Sequence, residues 1–127
     1  MRHQSKTQAA LYREFGPVRE AYLEEMGRCA KCWLSFGDLA CHEILAGCHR
    51  RNAFKARCCW LALCVRCHSE LQSTDICFQL AYKLLSDPRG FDLPEFHKVW
   101  GRPETAITPA EVLESTRLLL MQRNTYE

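Results

Sequence analysis

The sequence predicts an α+β fold in which a small core of two strands and one helix lies between helical N- and C-terminal segments. Three observations predict it. Residues 28–72 hold every cysteine except Cys77 and every histidine except His3 and His97. Apolar side chains recur at helical spacing on both sides of that stretch. Inside it, two short apolar runs, 39–45 and 60–63, read as strands separated by basic, irregular chain. At 127 residues the chain suffices for one domain with a modest core. Its parts are N-terminal helices over 1–27, the core over 28–72 and a helical extension over 73–127.

Each element has a local reason. From Gln4 onward Ala10, Leu11 and Phe15, then Val18, Tyr22 and Met26, fall at helical spacing. Gly16-Pro17 predicts a break there, with Pro17 as the first residue of a second helix ending at Met26, because proline has no N–H to lose at that position. Gly27 supplies the stop. Val65 to Gln72 reads as a helix that begins inside the second cysteine pair. Thr74 is expected to cap a helix over Asp75 to Ser86, and Asp87-Pro88-Arg89-Gly90 breaks the chain. A short helix is expected over Pro94 to Trp100. Thr108, Pro109 and Glu111 form a capping-box signature ahead of Val112, Leu113, Leu118 and Leu119.

Composition narrows the function classes. Seventeen basic residues nearly balance fifteen acidic ones, so the net charge of +2 does not by itself mark a nucleic-acid partner. No run approaches the roughly 18 apolar residues that span a bilayer, and MRHQSKTQAA has no apolar export region, so no membrane association and a cytoplasmic location are expected. Nine cysteines are an odd number, and in a reducing compartment metal binding is the better reading than disulfides.

Cys29-Ala30-Lys31-Cys32 and Cys64-Val65-Arg66-Cys67 are two pairs with two-residue spacers, 31 residues apart. A short spacer lets both thiolates of one turn reach a single ion at about 2.3 Å, and four thiolates complete a closed tetrahedral zinc shell. Such a site is structural, and removing its zinc costs much of the fold in a domain this small. The alternative treats these as ordinary buried cysteines. Cys41, Cys48, Cys58 and Cys59, with His49, are irregularly spaced and are expected in the core rather than on a second metal. Cys77, Trp33, Trp60 and Trp100 are expected there too.

Cys41-His42-Glu43-Ile44 and Leu63-Cys64-Val65-Arg66-Cys67-His68 together resemble the HNH endonuclease family, over Cys29 to about Leu71. The flanks are similar, more loosely, to small phage-type HNH proteins. The resemblance implies a ββα-metal core around a structural zinc. It implies a site for a catalytic divalent ion, Mg2+ or Mn2+, and hydrolysis of phosphodiester bonds in double-stranded DNA in a bacterial or phage-infected cell. His68 matches the family's final histidine and would hold the catalytic ion through a neutral imidazole nitrogen. His42-Glu43 matches the first pair in either of two registers. In one, His42 binds the ion and Glu43 takes the base position; in the other, His42 is the base and Cys41 falls in the metal position, where a soft thiolate suits magnesium poorly. The family's middle asparagine falls on Cys59, and the nearest asparagine is Asn52.

Between the strands, Arg50, Arg51, Lys55 and Arg57 surround Phe54, a cluster suited to phosphate contacts. Two other functions fit the same residues. One is a catalytically weak or inactive zinc module that binds nucleic acid or a protein partner. The other is an interaction protein whose partner meets the C-terminal helices.

Overall fold

The computed structural model describes residues 6–34, 38–72 and 74–126, so the expected helix start at Gln4 lies outside the described residues. The chain runs α1 (Lys6–Met26), β1 (Leu39–Glu43), α2 (Arg50–Phe54), β2 (Trp60–Cys64), α3 (Val65–Leu71), α4 (Ile76–Ser86), α5 (Leu93–Trp100) and α6 (Pro109–Tyr126). Single 3₁₀ turns at Gly47–His49 and Arg57–Cys59 flank α2.

β1 and β2 pair antiparallel with Leu39 opposite Cys64 and Glu43 opposite Trp60. Pairing continues one step past the ladder, where the Ile44 N–H donates to the Cys59 carbonyl at 2.8 Å. Trp60, Leu61, Ala62 and Leu63 are all buried. A two-stranded ribbon is marginal alone, and here helices cover it. The core around it includes Tyr22 from α1, Leu71 from α3, Leu80 and Ala81 from α4, Phe96 from α5 and Val112 and Leu119 from α6.

The expected break at Gly16-Pro17 does not occur: α1 is one helix with Pro17 inside it. Proline removes its own N–H and crowds the Cβ of the preceding residue, but Gly16 has no Cβ, and the exposed surface lets water meet the carbonyl set free. Arg19 and Tyr22 then anchor the second half of the helix in the core. Gly27, at φ 71°, ends it, its N–H donating to the Leu23 carbonyl at 2.9 Å.

The stretch expected to be irregular between the strands contains α2 instead. The cap of α4 is Asp75 rather than Thr74, its carboxylate accepting from the Cys77 N–H at 2.6 Å. The capping box of α6 forms as expected. Thr108 N–H donates to Glu111 Oε1 at 2.8 Å, and Glu111 N–H donates to Thr108 Oγ1 at 3.2 Å.

Two core expectations fail. Trp33 is 36% exposed, because the turn after Cys32 puts this residue in the left-handed region at φ 68° and turns its ring outward. There it lies between the guanidinium groups of Arg28, 4.4 Å from its centre, and Arg123, 4.3 Å away. Cys48 is exposed as well, on the 3₁₀ turn before α2, whereas Cys58 and Cys59 are buried as expected.

A buried charged group joins three elements. Lys83 on α4 has no exposed side-chain surface; its ammonium donates to Asp87 Oδ2 at 2.7 Å, the Trp60 carbonyl at 2.9 Å and the Tyr22 hydroxyl at 3.1 Å. Asp87 also receives Arg57 on both oxygens, at 3.0 and 3.1 Å. Arg57 reaches onward to both oxygens of Glu25.

Candidate metal centre and adjoining cleft

The first cysteine pair lies in a turn directly after α1. Its main chain is pinned to the ribbon by the Ala30 N–H, which donates to the Ala62 carbonyl at 2.7 Å. Cys64 ends β2 and Cys67 lies in the first turn of α3, so the second pair straddles a strand-to-helix junction. The four sulfurs lie within 4.8 Å of one another, with Cys32 and Cys64 3.9 Å apart. Thiolates at the corners of a tetrahedron with bonds of about 2.3 Å are separated by about 3.8 Å, so these four residues could hold a metal ion such as zinc. Among the described residues no other group of three or more histidines, cysteines and acidic residues converges in this way.

The thiols do not titrate alike. Burial pushes Cys29 up, but main-chain N–H groups of Cys32, Cys64 and Lys31 at its sulfur outweigh this and bring it down to about 7. Cys67 is held above its ordinary value by burial and by hydrogen bonds with Cys64 and Cys29. Four thiols this close ionise together only against a cation, as a soft divalent ion would provide.

His42 and His68 meet beside this centre. His42 is on β1 opposite Leu61, and His68 follows Cys67 on α3, so the junction that aligns the cysteines also aligns the two rings. Their centres are 5.1 Å apart and nearly perpendicular. Two imidazoles sharing one ion at metal–nitrogen bonds of about 2.1 Å have ring centres about 5 Å apart, the same spacing as an edge-on ring contact. His42 is 6% exposed, and its Nε2 lies 2.7 Å from Gln79 Oε1. Burial lowers its pKa, with the Gln79 hydrogen bond opposing and the nearby His68 reinforcing the shift. Both histidines, with Glu43, Arg50 and Gln79, line one open cleft.

Glu43 borders the same cleft, but its carboxylate is turned to arginines. Neighbouring strand residues point to opposite faces, and its carboxylate is joined to the Arg19 guanidinium, with Arg50 Nε 3.6 Å from its other oxygen. Arg19 also donates to the carbonyls of Cys41 and Phe54, both at 3.0 Å, and so clamps α2 to β1. Of the four basic residues between the strands, Arg50, Arg51 and Lys55 are exposed, whereas Arg57 is held by Asp87 and Glu25. Cys41 is half-buried and pushed up to about 12 chiefly by that burial. Cys59 is fully buried, and Asn52 is exposed on α2.

Sequence reasoning missed Gln79 and Lys83. Gln79 carried no signal, being one polar residue in an apolar helix. Lys83 carried one: a lysine among apolar residues with Asp87 four positions on.

The fold and centre define a mixed helix-and-strand protein with a four-cysteine group suited to a metal ion. No helix among the described residues is long and apolar enough to cross a membrane. Compared with known proteins, the chain matches no family model, and no curated protein or solved structure is significantly similar to it.

Proposed function

We propose that the chain is a metal-dependent HNH-type endonuclease that hydrolyses phosphodiester bonds in DNA, built on a structural zinc held by Cys29, Cys32, Cys64 and Cys67. The observation that carries this reading is the meeting of His42 and His68 in an open cleft, fixed by the strand-to-helix junction that also aligns the cysteines. In this reading β1, β2 and α3 are the ββα-metal core. The two imidazoles hold a divalent ion, Mg2+ or Mn2+. Such an ion supplies Lewis-acid stabilisation of charge on the phosphate and makes water a better nucleophile at neutral pH. Arg50, at the cleft edge, takes a phosphate oxygen, and Arg51 and Lys55 continue the positive track along the backbone. Glu43, paired with Arg19, orients Arg50 rather than accepting a proton. Arg57 supports the fold.

Purified protein incubated with supercoiled plasmid and magnesium, manganese or nickel tests this. Nicking is expected, with a loss of about 100-fold or more in His68→Ala at unchanged zinc content. Absence of nicking with all three metals would reject it.

Three observations favour a second reading, a catalytically weak zinc module that binds nucleic acid or a protein partner. Both Glu43 oxygens are engaged with arginines, and Cys59 is sealed in the core where the family's asparagine would stand. The exposed Leu113, Leu120 and Met121 on α6 suit a protein partner. Duplex binding in a gel-shift assay without nicking would support this reading.

A further inference from the structure

Gln79 belongs to α4, outside the ribbon and the helix that carry the two histidines, yet it is 4% exposed and its carboxamide ends on His42. The orientation of that carboxamide is determined. Gln79 Nε2 lies 2.8 Å from the Thr74 carbonyl, which can only accept, so the nitrogen must be at that end. The oxygen is therefore the atom 2.7 Å from His42 Nε2. An amide oxygen also only accepts, so His42 Nε2 carries the hydrogen and Nδ1 keeps the lone pair.

We propose that Gln79 is a positioning residue that locks His42 in its Nε2–H tautomer and so presents Nδ1 as the nitrogen available to a divalent ion. The assignment of Nδ1 to an ion rests on the function proposed above; the tautomer rests on geometry alone. A histidine that ligates a metal through one nitrogen commonly donates its other N–H to a fixed acceptor, which sets both ring orientation and basicity. Here a buried carboxamide fills that role. It is itself held by the main chain at the start of α4, and α4 is fixed in turn by Lys83 and by packing against α6. The helices after the cysteine core thereby become part of the cleft.

The tautomer can be read without activity. Long-range ¹H–¹⁵N correlation spectra of zinc-loaded wild-type protein distinguish Nε2–H from Nδ1–H in each histidine. The expected result for His42 is Nε2–H. Gln79→Met, which keeps the length and loses the acceptor, is expected to give a mixture of tautomers and to weaken Mn2+ binding by about 10- to 100-fold in calorimetric titration. Gln79→Glu keeps an acceptor oxygen for His42 but sets its other oxygen against the Thr74 carbonyl, so it is expected to keep the single Nε2–H tautomer in a less stable protein. An Nδ1–H tautomer in the wild type, or an unchanged spectrum in a folded Gln79→Met protein, would overturn the proposal. Wild-type protein with His42 as Nε2–H but no affinity for Mn2+ would leave the lock standing. It would reject the metal role of Nδ1 together with the nuclease reading.

Discussion

Lys83 shows how much one side chain can carry. A buried ammonium is tolerated only when paired and fully hydrogen-bonded, and all three of its donors have partners: Asp87, Trp60 and Tyr22. Removing the counter-charge with Asp87→Ala is expected to cost about 3–5 kcal/mol, measured by urea denaturation, because the lysine would remain buried and uncompensated. Gly90 tolerates no side chain beside this pair, since a Cβ would overlap the Asp87 carboxylate and come within 2.9 Å of Arg57 Nε. Burial alone would raise the Asp87 pKa, but hydrogen bonds from Arg57 and Lys83 outweigh it and hold the carboxyl at about 2. An unfolded aspartate titrates near 3.9, so the unfolded chain takes up this proton first as pH falls. The resulting stability, of order 2 kcal/mol, is full above about pH 4 and lost towards about pH 2. An acid titration of wild type against Asp87→Asn should show this contribution only in the wild type. At this scale the sequence was legible where spacing carries chemistry, as in the four cysteines. His42 and His68 were nominated through a family motif, and the structure brings them together. It was illegible where the partner is a main-chain carbonyl or a distant hydroxyl, as for Trp60 and Tyr22 at Lys83, because no local pattern records them.

Helices were read well where their ends are written in side chains, and less well elsewhere. The reciprocal bonds of Thr108 and Glu111 at the start of α6 were visible from three residues, and Thr108→Ala is expected to cost about 1 kcal/mol in chemical denaturation. Asp75 displaced Thr74 as the cap of α4 because two adjacent residues were both competent and only the path of the chain chooses between them. Pro17 misled for a different reason. A proline in sequence signals a break, but whether a helix tolerates it depends on the residue before it and on solvent at the freed carbonyl. Since α1 pays that penalty in its interior, Pro17→Ala is expected to stabilise the protein by about 1–3 kcal/mol and to raise the thermal midpoint. The short α2 was hidden in a basic stretch with little helical periodicity. Arg19, reaching from α1 to the Phe54 carbonyl, helps to hold it.

Across the whole molecule, the proposed zinc replaces a larger core. The ribbon has only two strands, and the first cysteine turn joins it through the Ala30–Ala62 hydrogen bond. Chelation of the metal, or Cys67→Ser, is expected to lower stability by several kcal/mol and to release α3 from β2, followed by far-ultraviolet circular dichroism with a chromogenic chelator to count the ion. The coarse architecture, helices around a short ribbon, followed from apolar periodicity. The joining of distant segments at Asp87, Arg57 and Glu25 did not, because it depends on how the elements pack. One consequence follows from β2 itself. Its last residue is a cysteine of the candidate metal group, and its first offers a carbonyl to Lys83. With the proposed ion bound, five residues, a span of about 17 Å, are moored at both termini by unrelated chemistry, sulfur at one and an ammonium at the other. Stripping the ion unties only one mooring, so deuterium uptake in the apo form should spread from Cys64 backwards and reach Trp60 last.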